Sequence, residues 1–188
     1  MQLIYPLYGV QLLRRIYEQK FLFVPTPAKM NLFHYAAGMG FYASTTLLIL
    51  YYLLSSPNII SSQQDPLLSS RIMVVLFMFG QVIQFHSHKL LASLRGNLSK
   101  EDLLNPTKAY SIPSGGLFRL VSCPNYLAEC LIYTALLVLA DFELNMMILT
   151  LFVWGNQVMS ALHCHAWYRS TFGSKYPKNR KAIIPFLL

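Results

Sequence analysis

Asn125 and Glu129 lie one helical turn apart in Val121-Ser122-Cys123-Pro124-Asn125-Tyr126-Leu127-Ala128-Glu129, just where a strongly apolar segment, Cys130 to Ala140, begins. Residues at i and i+4 share a helix face, so an amide and a carboxylate point the same way at the mouth of an apolar helix. A carboxylate there is costly in lipid unless it is paired or faces a water- or ligand-filled cavity, which makes the two a candidate site. The alternative is an interfacial cap satisfied by its neighbours. Pro124 places the start of the helix, because the N–H it lacks would have had no intrahelical partner in the first turn.

Two further stretches carry polar groups at helical spacing. Gln84 and His88 are four apart, and Arg95 follows two turns later, so the three fall on one stripe. Ser160, His163 and Cys164 precede Tyr168, again with a four-residue step from Cys164. A cluster of amide, acid, imidazole and guanidinium suits a large polar ligand, and a guanidinium matches phosphate oxygens bidentately. His86-Ser87-His88 and His163-Cys164-His165 raise a metal centre as an alternative. Residues two apart on a helix point about 200° from each other, so each such triplet offers one ligand per face, and the usual accompanying carboxylates are missing. No metal site is assigned.

The elements that must position these groups are membrane helices. The chain has 188 residues, 55% hydrophobic and 12% charged, with a net charge of +8. Soluble domains carry about 25% charged residues. Expected spans are Asn31 to Leu54, Arg71 through Phe85, Asn125 to Ala140, and Leu144 to Tyr168. Met1 to Leu13 is apolar but short of the ~20 residues a crossing needs, so it is expected to be the end of a helix. No cleavable signal peptide is expected there. The fold class is therefore all-α: a polytopic membrane helix bundle of about four full spans plus a partial N-terminal helix, forming one domain over residues 1–188. Arg14, Arg15, Glu18 and Lys20 read as a charged collar, and Val24-Pro25-Thr26-Pro27 as a break.

If Lys29 is cytosolic, alternating the four spans puts fourteen of the fifteen Lys and Arg residues on that side, with Arg71 alone on the other. This positive-inside bias places the loop Gly96 to Val121 and the C-terminus in the cytosol. It also predicts that the sequon Asn97-Leu98-Ser99 is unused. The basic excess flanks apolar runs and so speaks for orientation in a bilayer, with no nucleic acid as partner. Gly115-Gly116 can bring backbone close to a phosphate, but after Pro113 a plain turn is the simpler reading. Cys123, Cys130 and Cys164 form no paired framework.

Several motifs carry a resemblance to a known family: Leu94-Arg95, Tyr110-Ser111-Ile112-Pro113, Gly115-Gly116-Leu117-Phe118, Val121 to Glu129, Tyr168, and the tail Tyr176-Pro177-Lys178-Asn179-Arg180-Lys181-Ala182-Ile183-Ile184-Pro185-Phe186. In these the chain resembles the C-terminal region of the steroid 5α-reductase family, membrane enzymes that use NADPH to reduce a double bond conjugated to a carbonyl. The resemblance is strongest over residues 84–188. Arg14-Arg15-Ile16-Tyr17-Glu18, His88 to Arg95, Ser122 to Tyr133 and Asn156-Gln157-Val158-Met159-Ser160-Ala161 make it most similar to the members that act on polyprenal.

The resemblance implies that Gln84, His88, Arg95, Tyr110, Asn125, Glu129, Ser160, Cys164 and Tyr168 contact NADPH, with Glu129 and Tyr168 at the catalytic end. Gln84 and His88 stand where steroid-reducing relatives have Asn and Asp, and Ser160 and Cys164 where they have Arg and His, so an isoprenoid substrate is favoured over a steroid. The implied activity is reduction of the α-isoprene double bond of polyprenal on the route to dolichol, in the endoplasmic reticulum membrane. Additional N-terminal spans of the family are not within these residues. The competing readings are a steroid enone reductase, a lipid or prenyl-cysteine methyltransferase, and a non-catalytic relative that binds cofactor or a membrane partner.

Overall fold

The structure, a computed structural model, describes residues 3–24, 32–55, 66–96, 98–99, 101–102 and 110–188. The Pro25 and Pro27 break, Lys29, Asp65, Asn97, Lys100 and Lys108 lie outside these residues. Among the described residues the architecture is helical, with no strand: α1 Ile4–Tyr17, α2 Leu32–Ser55, α3 Pro66–Gly96, α4 Pro124–Leu139 and α5 Leu144–Phe172. A π-turn, Glu18–Leu22, extends α1, closed by the Phe23 N–H donating to the Glu18 carbonyl at 2.9 Å.

The four apolar runs expected as spans fall on helices α2 to α5, with one difference of extent, and two of these helices are long and apolar enough to cross a membrane. The second was placed from Arg71 through Phe85, whereas α3 begins at Pro66 and runs 31 residues to Gly96. At a rise of about 1.5 Å per residue it is roughly 45 Å long, enough to cross ~30 Å of hydrocarbon and continue beyond it. The polar residues His86 to Arg95 are therefore held on rigid helix. Leu68–Gly96 and Leu144–Lys175 are long and apolar enough to cross a membrane. The helix Pro124–Leu139 is apolar but shorter, at 16 residues.

α4 is the central element. Ala128, Glu129, Cys130, Ile132, Tyr133, Ala135 and Leu136 are buried, most of its circumference, while Leu127, Leu131, Thr134 and Val138 form one half-buried stripe. A main core joins Ile4, Leu7 and Tyr8 of α1, Ile49 and Tyr52 of α2, Phe77 of α3, Tyr133 and Leu136 of α4, and Met146, Leu149 and Val153 of α5. The outward faces of α2, α3 and α5 expose Leu47, Leu50, Tyr51, Val75, Phe79, Val82, Ile148, Leu151 and Phe152. Such a continuous apolar surface is a liability in water and ordinary against lipid.

Two devices set the approach to the site. α3 meets α4 at Gly80, where a Cβ would sit 2.8 Å from Ile132 Cγ1 and 3.1 Å from the Ala128 carbonyl oxygen. The residues before α4 are tied to the tail: the Ser122 and Cys123 N–H groups donate to the Lys181 and Ala182 carbonyls at 2.8 and 3.1 Å, and the Lys181 N–H donates to Leu120 at 3.0 Å. Gly115 and Gly116 both have positive φ, at 97° and 49°. They serve a turn against α3, since a Cβ on Gly116 would lie 3.0 Å from the His86 ring.

Gly80→Ala should force α3 and α4 apart. Overpacking of this kind typically costs about 1–3 kcal/mol, so its thermal unfolding in detergent is expected at lower temperature than that of Gly155→Ala, where an added Cβ meets nothing within 4 Å.

Candidate functional site

Buried positions of α1 fall at Ile4, Leu7, Tyr8 and Gln11, a single helical stripe. Continued at the same spacing, that stripe reaches Arg14, Arg15 and Glu18, so its apolar half feeds the core and its polar half meets α3 and α4. Gln11 is fully buried and Glu18 is 4% exposed. Of the expected charged collar, Arg14, Arg15 and Glu18 thus form an internal network, while Lys20 is exposed.

Arg14 is its hub. Its guanidinium donates to Gln11 Oε1 at 2.7 Å, and also to Gln81, Gln84 and Glu18. Gln81 Nε2 donates to Gln11 Oε1 at 2.7 Å. Glu129 accepts from Gln84 Nε2, and from Gln11 Nε2 at 3.4 Å on each oxygen. Gln84 Nε2 also donates to the Asn125 carbonyl at 3.3 Å. Two side-chain amides thereby stand between the Glu129 carboxylate and the Arg14 charge. They give the acid donors while leaving it free of a direct ion pair.

Further along, Arg15 Nη1 and His88 Nδ1 converge on Glu18 Oε2, at 2.7 and 2.8 Å. Burial alone would raise the Glu18 carboxyl, but the hydrogen bond and charge of His88, with Arg14 and Arg15, outweigh it and hold the group well below the usual carboxylate range. Glu18 is therefore ionised throughout the neutral range.

Three adjoining cavities surround this network. The first, about 300 Å³, is lined by Arg15, Gln84, His88, Asn125, Glu129, Asn156 and Gln157 at one end, and by Ala37, Gly38, Phe41, Phe152 and Val153 elsewhere. The second, about 410 Å³, is lined by Arg95, Tyr110, Asn125, Tyr126, Cys164, Trp167 and Tyr168 among others. Asn125 and Tyr126 border both. A third, about 270 Å³, lies beyond Arg15 and His88, where Glu18, Gln19 and Arg95 line it.

Eight of the nine expected ligand-binding residues line one or both of the first two cavities. Gln84, His88, Asn125 and Glu129 border the first, and Arg95, Tyr110, Cys164 and Tyr168 join Asn125 at the second. Ser160 is half-buried on α5 and borders neither. The two residues expected at the catalytic end are separated: Tyr168 stacks on Tyr176 with ring centroids 5.5 Å apart, as a wall of the second cavity. The Arg95 guanidinium lies over the Tyr110 ring at 5.1 Å. His86 and His88 are divided as helical geometry requires, one against Gly116 and one on Glu18. Among the described residues no three His, Cys, Asp or Glu side chains gather to hold a metal ion.

The sequence reading missed Gln11, Arg14, Arg15, Glu18 and Gln81 as site residues. It also missed Ser122, whose hydroxyl lies 2.6 Å from both His165 Nδ1 and the Tyr176 hydroxyl and fixes the tail on α5. The signal for the first group is the continuation of the α1 stripe past Gln11.

Removing one partner of a buried charge network typically costs about 3–5 kcal/mol. Arg14→Met should therefore lower stability in detergent markedly. Arg15→Met, whose wild-type side chain is 33% exposed, should cost less, and thermal unfolding of the two variants checks the order.

Comparison with known proteins places this arrangement. The family model described as 3-oxo-5-alpha-steroid 4-dehydrogenase matches residues 28–188. A polyprenal reductase of Danio rerio is 38% identical over 182 residues, covering 95% of this chain and 58% of the relative. Those of Caenorhabditis elegans and Drosophila melanogaster are 36% and 35% identical over 187 residues each, covering 97% and 95% of this chain and 59% and 56% of the relatives. The chain therefore spans a little under three fifths of the length of these relatives. By this match over most of its length, the chain belongs to the steroid 5α-reductase family of oxidoreductases.

Proposed function

We propose that the chain carries the cofactor site and the substrate-facing end of an NADPH-dependent reductase that saturates the α-isoprene double bond of polyprenal, in dolichol synthesis at the endoplasmic reticulum membrane. The observation that carries this reading is the pairing of two cavities across Asn125 and Tyr126, one rich in aromatic rings with Arg95, the other apolar with Glu129 at its polar end. The relatives named polyprenal reductase support the substrate class. The exposed apolar faces of α2, α3 and α5 support a membrane setting of four helices, with α4 enclosed among the others. The basic residues support a cytosolic cofactor loop and C-terminus.

The residues present fit NADPH. Arg95, held over Tyr110, offers a planar guanidinium to phosphate oxygens, and Tyr168 and Trp167 offer flat walls for an adenine or ribose. Asn125, Gln84 and Glu129 offer the mixture of donors and acceptors that a carboxamide needs. When bound, the dihydronicotinamide supplies hydride.

Glu129 is held in place by two amides, so it can accept a hydrogen bond without moving. Phe41, Phe152 and Val153 keep the other end of the first cavity apolar, which suits an isoprenoid tail arriving from lipid and excludes water from the reacting bond. Asn156 and Gln157, on α5, complete the polar end.

NADPH oxidation by purified protein in detergent should depend on added polyprenal and exceed the rate with a steroid enone. S-adenosylmethionine should not compete with NADPH. Glu129→Gln is expected to lower kcat by on the order of 10²-fold, because misplacing a reactant by 1 Å can cost that much; an undiminished rate removes Glu129 from the site. Arg95→Ala should weaken NADPH binding about ten- to a hundredfold, the loss of one charge-assisted contact.

A further inference from the structure

Spacing on two helices marks out a further apolar space. Ala37, Phe41, Ser44, Thr45 and Leu48 fall on one stripe of α2, and Asn145, Ile148, Leu149 and Phe152 on one stripe of α5. Where the stripes face each other they line an open groove of about 380 Å³. Ala37 and Ser44 are small, so the α2 wall is set back. Two of the polar groups are turned to their own helices: the Thr45 hydroxyl donates to the Phe41 carbonyl at 2.8 Å, and Asn145 Nδ2 donates to Glu143 Oε1 at 2.7 Å. Apart from Ser44, the groove therefore presents methyl, methylene and ring carbon.

We infer that this groove holds the isoprenoid tail of the substrate, and that the rings of Phe41 and Phe152 divide its head from its tail; the inference rests on the reductase reading above. Ala37, Phe41 and Phe152 are walls of both the groove and the first cavity, so the two spaces adjoin. The Phe41 and Phe152 rings stack with centroids 6.0 Å apart, and Phe41 also rests on Tyr133 at 6.0 Å. The pair is held in place from behind, and the third shared wall beside it is only the Ala37 methyl.

Size and chemistry choose the occupant. The first cavity, about 300 Å³, must admit a dihydronicotinamide as well as the aldehyde, which leaves no room for a polyisoprenoid. Its polar end, at Gln84, Asn125 and Glu129, is no exit for a hydrocarbon, whereas its apolar end opens past Phe41 to the groove. From Ala37 to Leu48 the groove follows α2 for about 16 Å, at about 1.5 Å per residue, the reach of several isoprene units. Lipid solvates such a tail as well as the groove does, so the groove contributes alignment rather than hydrophobic gain. A tail laid between α2 and α5 sets the depth at which the aldehyde enters, and with it the distance from the β-carbon to the nicotinamide.

The test uses the purified chain in detergent with NADPH and two aldehydes: a long-chain polyprenal, and geranial, which is short enough to stay in the chamber. Ser44→Trp and Ile148→Trp fill the groove beyond the stacked pair and border neither chamber. Each should lower kcat/KM for the long aldehyde by on the order of tenfold, the cost of a misplaced reactant, while geranial turnover and NADPH affinity stay unchanged. In wild type, photolysis of a polyprenal carrying a diazirine on its third isoprene unit should label peptides of α2 and α5. Excess polyprenol should suppress that label and added phosphatidylcholine should not. Equal losses on both aldehydes, no loss on either, label outside α2 and α5, or label displaced by phosphatidylcholine overturns the assignment and leaves the reductase reading standing. A wild type that reduces neither aldehyde overturns both.

Discussion

A single guanidinium, Arg14, holds together what would otherwise be an untenable arrangement: a carboxylate, Glu129, inside a bundle of apolar helices. An unpaired charge in such surroundings costs several kcal/mol, and a direct ion pair would neutralise the acid as a ligand. Gln11 and Gln84 resolve the conflict by bonding to both, so each amide spends its oxygen on Arg14 and its nitrogen on Glu129. The helix spacing follows from this. Gln11 and Arg14 are one turn apart on α1, Gln81 and Gln84 one turn apart on α3, and the two helices must lie close enough for four side chains to interlock. Such networks rigidify a core when every member is satisfied.

That constraint sets a polar-ended chamber and an aromatic one side by side. The polar ends of α1, α3 and α4 meet at one level of the bundle, and the apolar halves of α2 and α5 continue below it. The chambers on either side of Asn125 and Tyr126 inherit this division: one is walled by Trp167, Tyr168 and Arg95, the other by Phe41, Phe152 and Val153. α4 carries Asn125 and Tyr126, which border both chambers. Gly80 then sets how near α3 can bring Gln84 to the acid.

Much of this was legible in the chain because its strongest signals are local. Long apolar runs fixed α2, α4 and α5 within a few residues, and Pro124 marked the start of α4. The i, i+4 rule brought Gln84 to His88 and Asn125 to Glu129. What was not legible depends on contacts distant in sequence. Arg14, Arg15 and Glu18 look like solvated charges when read as a run; only the packing of α1 against α3 turns their stripe inward. Tyr168 and Glu129 share an inferred role yet face different chambers, because Asn156 and Gln157 of α5 stand at the Glu129 chamber and Tyr168 lies about three turns further on, where Tyr176 stacks on it. Ser160 is placed by motif likeness; it shares the helical stripe of Val153, Gln157, Cys164 and Trp167 but falls between their levels and borders neither chamber.

The link between the tail and the head of α4 bears on biosynthesis. The peptide groups that seat Ser122 and Cys123 find their partners at residues 181 and 182, some sixty positions downstream. During membrane insertion α4 must therefore wait, with those N–H groups bonded to water or to a chaperone, until the last turns of polypeptide have left the ribosome. A stop codon between the end of α5 and Lys181 would therefore leave the five helices complete but deprive Ser122 and Cys123 of these partners.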